Sequence, residues 1–174
     1  MGSDKALLPL RGRTLIEQIA GEVSKVTHGV SLVGDPVRYA NLGYPIIQDI
    51  FPGCGPLSGI HAALCASRAK WNLVVACDMP EIKAEFLLAL MERAEQLSAD
   101  AVLPAGPSGR AEPLCAAYRL SCLAVIESAL RRNVRKITEG LKGLQTDLWP
   151  VPDCGFFHNL NTPEEWASYS NSNG

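Results

Sequence analysis

The chain has 174 residues, 47% of them hydrophobic and 20% charged, with a formal net charge of −2. That length and apolar content suit one globular domain that buries a full core without staples, and they exclude a disordered chain. Lys and Arg are scattered apart from one short cluster, Arg131, Arg132, Arg135 and Lys136. The basic stripe of a nucleic-acid binder is therefore missing, although a small anionic ligand needs only a few local donors. Met1–Leu10 has one apolar patch, interrupted by Pro9 and followed by no small-residue cleavage site. No apolar run approaches the ~18 residues of a membrane span. The expected protein is soluble and cytoplasmic. Six cysteines stand at 54, 65, 77, 115, 122 and 154, and no two have C-x-x-C spacing. They read as reduced thiols in or near the core, and the spacing argues against a zinc site.

In chain order, Thr14 caps a helix expected to run to about Val26, with Leu15, Ile16, Ile19, Ala20 and Val23 on one face. Gly29 breaks it, and Val30–Val33 and Pro45–Gln48 read as short strands. Pro52-Gly53-Cys54-Gly55-Pro56 is a turning loop, and Ser58 opens a helix to about Ser67. Leu73–Cys77 is apolar at every position, the pattern of a strand covered on both faces, and so of a central parallel strand. An amphipathic helix follows over 83–98. Ala101–Pro104 and Pro113–Tyr118 are strands, Leu120–Arg132 a helix, and Val134–Leu141 a shorter one. Gln145–Val151 reads as an edge strand because of Pro150. Thr162-Pro163-Glu164-Glu165 starts a last helix, and 168–174 is a low-complexity tail. This alternation implies an α/β fold: a doubly wound, mostly parallel open sheet with helices on both faces.

In such sheets ligands bind beyond the carboxyl ends of the strands, which singles out Asp35, Asp49 and Asp78. Asp78 follows the most apolar strand directly and is braced by Pro80. It suits Mg²⁺, which takes one or two carboxylates and fills its other positions with water and phosphate oxygens. A capping role at a strand end is the alternative. Asp49 can bond a ribose hydroxyl or simply form a turn. Lys5, after Gly2-Ser3-Asp4, can reach polyphosphate oxygens or be an ordinary exposed lysine. Gly55-Pro56-Leu57-Ser58-Gly59 opens a helix whose free N–H groups attract anions, or is a plain loop-to-helix junction. Asn159 and Asn161 lie on one side of an extended segment, where they can bond a substrate or shape a turn.

Taken together, Met1-Gly2-Ser3-Asp4-Lys5-Ala6-Leu7-Leu8, Gly55-Pro56-Leu57-Ser58-Gly59-Ile60, Cys77-Asp78-Met79-Pro80, Glu112-Pro113-Leu114 and Asn159-Leu160-Asn161-Thr162-Pro163-Glu164 resemble the molybdenum cofactor guanylyltransferases in order and spacing. The resemblance spans essentially the whole chain. It implies one nucleotidyltransferase-like, Rossmann-like domain over 1–167. It also implies transfer of a guanylyl group from GTP to molybdopterin with release of pyrophosphate and a requirement for Mg²⁺. Lys5 and Asp78 would be catalytic, with Asp78 on the metal. Lys5, Asp49, Gly55 and Asp78 would bind nucleotide, and Asn159 and Asn161 would face the acceptor. Partners would be the two substrates and, transiently, proteins of cofactor synthesis or molybdoenzymes, with no nucleic acid and no membrane.

Two departures set further expectations. In the family a strand and a loop of the kind Leu-Ala-Gly-Gly-x-x-x-Arg-Met-Gly come first, and Met1-Gly2 matches only the end of that loop. The strands at 30–33 and 73–77 are then expected to flank an empty slot about twice the normal ~4.8 Å strand spacing. A catalytically impaired nucleotide- or cofactor-binding protein is the resulting alternative, and a cytidylyltransferase is another. Relatives also often carry an amide near Asp35, which is an acceptor only.

Overall fold

A computed structural model of the protein describes residues 4–152, 155–157, 165, 166 and 169. Lys5–Leu7 makes a single 3-10 turn, closed at its start by the Asp4 carboxylate, which accepts the Ala6 N–H at 3.1 Å. Strands β1 (Pro9–Leu10) and β2 (Arg13–Thr14) form a small antiparallel hairpin. Thr14 then caps α1 (Leu15–Ser24): its hydroxyl accepts from the Glu17 N–H while Glu17 reaches back to the Thr14 N–H, a reciprocal capping box. Leu15, Ile16, Ile19 and Ala20 are the buried face of α1, as the periodicity requires.

The short strands β3 (Leu32–Val33) and β4 (Ile46–Ile47) pair in parallel. Helix α2 (Pro56–Ala66) begins two residues before the expected Ser58, because Gly55 serves as its cap and Pro56 occupies the first helical position. Strand β5 (Trp71–Val75), helix α3 (Ala84–Gln96) and strands β6 (Ala101–Ala105) and β7 (Cys115–Arg119) follow. Helices α4 (Cys122–Arg131) and α5 (Ile137–Gly140) lead to β8 (Thr146–Pro150). The last four-stranded sheet has the order β5-β7-β6-β8. Strand β7 is antiparallel to both β5 and β6, and β6 is parallel to β8. Strands β5, β6 and β8 thus share one direction, and β7 alone is reversed.

Side chains alternate across this sheet, as strand geometry demands. Ala116 and Tyr118 of β7 face Leu57, Ile60 and Leu64 of α2 and Ile126 of α4. Ala117 faces Leu90 and Ala94 of α3, with Trp71 and Val102 beside it. Both faces are therefore covered, which makes the sheet doubly wound. Leu87 and Leu90 of α3 are completely buried, so cutting either to alanine costs about 2–5 kcal/mol. Strand β8 lies at the sheet edge, where Pro150 is tolerated.

Strand β5 departs from the expectation of a strand buried on both faces between parallel neighbours. It lies at the edge of its sheet, its described partner is antiparallel, and Asn72–Val75 are only half-buried, whereas all of Ala101–Ala105 is buried. The cause lies along its free edge. Strands β3 and β5 belong to different sheets and do not pair. Between their amino-terminal ends lies a cleft of about 950 Å³, lined among others by Val30, Ser31, Trp71, Asn72 and Leu73. Among the described residues, Cys54, Cys65, Cys77, Cys115 and Cys122 are free thiols, and no helix is long and apolar enough to cross a membrane. Asn159, Asn161 and the start of the last helix lie outside the described residues.

Candidate active site

Asp78 stands just beyond the carboxyl end of β5, after Ala76 and Cys77. The Ala76 N–H donates to the Leu114 carbonyl at 2.7 Å, which continues the β5–β7 pairing and fixes the chain immediately before the carboxylate. Met79 and Ile82, 1% exposed each, anchor the segment after it in the core beneath α3. Asp78 Oδ1 is buried and has no hydrogen-bond partner among the described residues. A buried carboxylate oxygen left bare costs free energy unless a donor or a cation meets it. A capping aspartate would instead show its oxygens on backbone N–H groups. The bare Oδ1 therefore fits a Mg²⁺ ligand.

Other charged groups gather around this point. Burial first, and then the charges of Asp78 and Asp4, push the Cys77 thiol up to about 11 against the opposing charge of Lys5. Asp4, Lys5, Cys77 and Asp78 thus share one electrostatic neighbourhood. Glu112 belongs to it as well. Burial raises its carboxyl, Arg110 pulls it down, and the charge of Asp78 raises it again, for a net upward shift. The Glu112 loop is held rigidly: the Glu112 N–H donates to the Pro104 carbonyl at 2.8 Å, and the buried Tyr118 hydroxyl donates to the Pro113 carbonyl at 2.7 Å. Lys5 and Asp78 thus both act on the Cys77 thiol, and Glu112 feels the charge of Asp78.

Asp4 has a role the sequence reading did not assign. Its Oδ2 accepts from the Tyr39 hydroxyl at 2.7 Å and from the Arg38 guanidinium at 3.1 Å. Burial opposes ionisation of Asp4, but those two bonds, the Ala6 N–H bond and the Arg38 charge together outweigh it and hold the carboxyl below its ordinary value. Burial and the same bond raise the Tyr39 hydroxyl far above its usual range. This latch ties the Lys5 turn to the loop after β3. It depends on Gly34, where any Cβ would run into the Tyr39 ring. Asp35 is exposed and accepts the Val37 and Arg38 N–H groups, at 2.9 and 3.3 Å, so its work is to shape that loop.

Asp49 sits in a second group. Its Oδ1 accepts the Phe51 N–H at 2.8 Å, and its Oδ2 lies 2.6 Å from the Ser58 hydroxyl, which is also 2.6 Å from the Gly55 carbonyl. One hydroxyl proton serves one of these acceptors at a time. Both Asp49 oxygens thus brace the Gly53–Pro56 turn against the first turn of α2. Gly55 holds φ 75° and ψ −165°, a region open essentially only to glycine. Phe51 and Cys54 of this loop pack in the same apolar cluster as Leu114, whose carbonyl binds Ala76, and this links the two groups. A Cβ at Gly55 would stand 3.8 Å from the Arg135 carbonyl. The basic cluster between α4 and α5 therefore borders the glycine-proline loop. Its sequence gave one signal, four cations within six residues, but not its place.

A profile of the MobA-like NTP transferase domain matches residues 1–146. The chain belongs to that family. It is 37% identical over 173 residues to a probable molybdenum cofactor guanylyltransferase of Pelotomaculum thermopropionicum, covering 95% of this chain and 83% of the relative. It is 33% identical over 177 residues to the molybdenum cofactor guanylyltransferase of Desulfosudis oleivorans, covering 94% and 84%. Among solved structures it is similar to molybdopterin-guanine dinucleotide biosynthesis protein A of Archaeoglobus fulgidus, with a TM-score of 0.83, 29% identity and coverage of 98% and 91%. A cytidylyltransferase of Thermus thermophilus acting on 2-C-methyl-D-erythritol 4-phosphate shares the fold at a TM-score of 0.75 and 16% identity, covering 97% and 93%. The protein is thus a nucleotidyltransferase of the molybdenum cofactor guanylyltransferase family.

Proposed function

We propose that the protein transfers a guanylyl group from GTP to the terminal phosphate of molybdopterin and releases pyrophosphate. The observation that carries this reading is the bare, buried Oδ1 of Asp78 just beyond the carboxyl end of β5, with the charge of Lys5 acting on the adjoining Cys77. Asp78 would hold Mg²⁺, which neutralises phosphate charge and orients the triphosphate when bound. Lys5 would meet the phosphates as a point charge. The turn at Gly55 would supply the N-terminus of α2 to the nucleotide, with Asp49 keeping that turn in shape. Asn159 and Asn161 would face the acceptor. The acceptor brings its own phosphate oxygen as nucleophile, so in-line positioning and charge neutralisation suffice and no Ser-His or Cys-His pair is needed. Guanine as the base rests on the names of the relatives.

The test is to incubate the protein with Mg²⁺, molybdopterin and either GTP or CTP and to measure pyrophosphate and dinucleotide. Pyrophosphate release with GTP in preference to CTP supports the reading, and preference for CTP moves the protein to cytidylyl transfer. A second reading is a protein that binds nucleotide or cofactor without transferring it. Saturable GTP binding with no pyrophosphate release from either nucleotide would establish that reading instead.

A further inference from the structure

A cavity of about 340 Å³ opens between the β1–β2 hairpin, α1 and the segment that joins Asp78 to α3, and neither Asp78 nor Lys5 lines it. Arg11, Arg13, Lys25 and Lys83 surround it against a single carboxylate, Glu22. In a chain whose net charge is −2, this is a local excess of positive charge. The one acid on its wall is already engaged: Glu22 lies 2.6 Å from the Lys25 ammonium and accepts the Ala84 N–H at 2.8 Å. Arg13 is exposed and forms no ion pair among the described residues. Lys83 stands 3.9 Å from Glu81, a carboxylate that also accepts from the Tyr169 hydroxyl. The cations of Arg13 and Lys83 are therefore available to an outside anion.

The hairpin holds Arg11 at a conformational cost. Leu10 pairs with Arg13, so the loop between the strands is Arg11-Gly12 alone, with φ 50° and 77°. Two positive values make the primed turn whose twist suits a hairpin, and its first position favours Asn, Asp or Gly. An arginine Cβ is crowded there, and nothing in the turn itself calls for a guanidinium. Strain of this kind collects where a side chain has work to do, and the Arg11 side chain lines the cavity. The mount is firm on both sides. The Gln18 side-chain amide donates to the Leu10 carbonyl and ties the hairpin to α1. Opposite, Met79 and Ile82 are buried and fix the segment that carries Lys83.

We propose that this cavity binds the phosphate group of a small organic phosphate monoester, at a site separate from the triphosphate site at Asp78. The hairpin guanidinium groups meet phosphate oxygens in forked pairs, and the lysines add charge as points. The volume lies at the lower end of small-molecule pockets and exceeds what a bare phosphate fills. The rest of the space, bordered by Ile19, Pro80 and Ile82, receives the organic part of the ligand. Pro80 and Lys83 belong to the segment that follows Asp78, so an occupant bridges the hairpin to that segment. The inference does not depend on which nucleotide is transferred.

The test titrates glycerol 3-phosphate into the native protein without nucleotide while backbone amide shifts are read residue by residue. Saturable shifts at Gly12, Gly21 and Lys83 are expected, and glycerol should give none. Arg11→Gly removes one cation and also relieves the positive φ, so it should weaken binding about tenfold or more while the Tm is kept or raised. Arg13→Gln should weaken binding on the same scale. Binding of GTP with Mg²⁺ should stay native in both variants. Four outcomes would overturn the proposal: no saturable shift at millimolar ligand, native affinity in the Arg11→Gly, Arg13→Gln double variant, equally tight binding of inorganic phosphate, or loss of GTP binding alongside glycerol 3-phosphate in these variants. The third would make this a site for the free ion, and the fourth would make the cavity part of the nucleotide site. Absence of guanylyl transfer by the native protein would bear on the nucleotide reading alone.

Discussion

Replacing Asp49 separates its structural role from a nucleotide contact. Asp49→Ala deletes the acceptor for the Phe51 N–H and one of the two acceptors open to the Ser58 hydroxyl. Ser58 keeps the Gly55 carbonyl at 2.6 Å, so only part of the second bond is lost. Hydrogen bonds to a charged group contribute about 1.5–3 kcal/mol each, and the lower end applies to a half-buried side chain. The expected loss is about 2–3 kcal/mol, or a fall in Tm of about 5–10 °C for a chain of this length. Asp49→Asn keeps an acceptor for Phe51, and Ser58 can donate to Gly55 while accepting from the new amide, so its cost should stay below about 1 kcal/mol. Thermal melting of the three proteins measures both numbers. A native Tm for Asp49→Ala would refute the bracing role. Weak GTP binding by Asp49→Asn at a near-native Tm would show that the Asp49 charge also meets the nucleotide.

Gly55→Ala forces a side chain into a conformation that only glycine tolerates, and it should cost about 1–3 kcal/mol in thermal or denaturant unfolding; a neutral effect would show that the turn relaxes. Asp4 has a folded pKa below its unfolded one, so it stabilises the protein above its unfolded value and loses that contribution as pH falls through the folded value. Asp4→Asn should therefore lower stability at neutral pH and flatten the loss of stability on the acid side of about pH 4, the ordinary carboxylate value. Melting curves from neutral pH down into that range check the sign.

Where local chemistry decides structure, the sequence was readable. Thr14 and Glu17 marked the start of α1, Pro150 marked an edge strand, and the apolar period of α3 located the wall of the core. The exact start of α2 was missed because a glycine cap has no side chain to betray it, and Pro56 extended the helix past the first obvious polar residue. Strand β5 was misread because an apolar run states what a strand is suited to bury, not whether a neighbour is there to cover it. In the site, Asp78 stood out because it directly follows an apolar strand, whereas Lys5 drew its expected role from the family resemblance. Asp4, Tyr39 and Gly34 form a contact across more than thirty residues, and Glu112 joins Asp78 through a loop held by Tyr118. Neither arrangement leaves a pattern in local spacing.

The most direct measurement of the central claim is a titration of GTP into the native protein and Asp78→Asn, each with and without Mg²⁺. Asp78 Oδ1 bonds nothing in the described protein, so the substitution should leave melting unchanged or raise it. Mg²⁺ should tighten GTP binding to the native protein and have no effect on the variant. The rate of guanylyl transfer should fall by about 10²–10³ in parallel, the usual scale for losing one such electrostatic element. A variant that keeps the full Mg²⁺ effect and near-native transfer would contradict the assignment of Asp78 as the metal ligand.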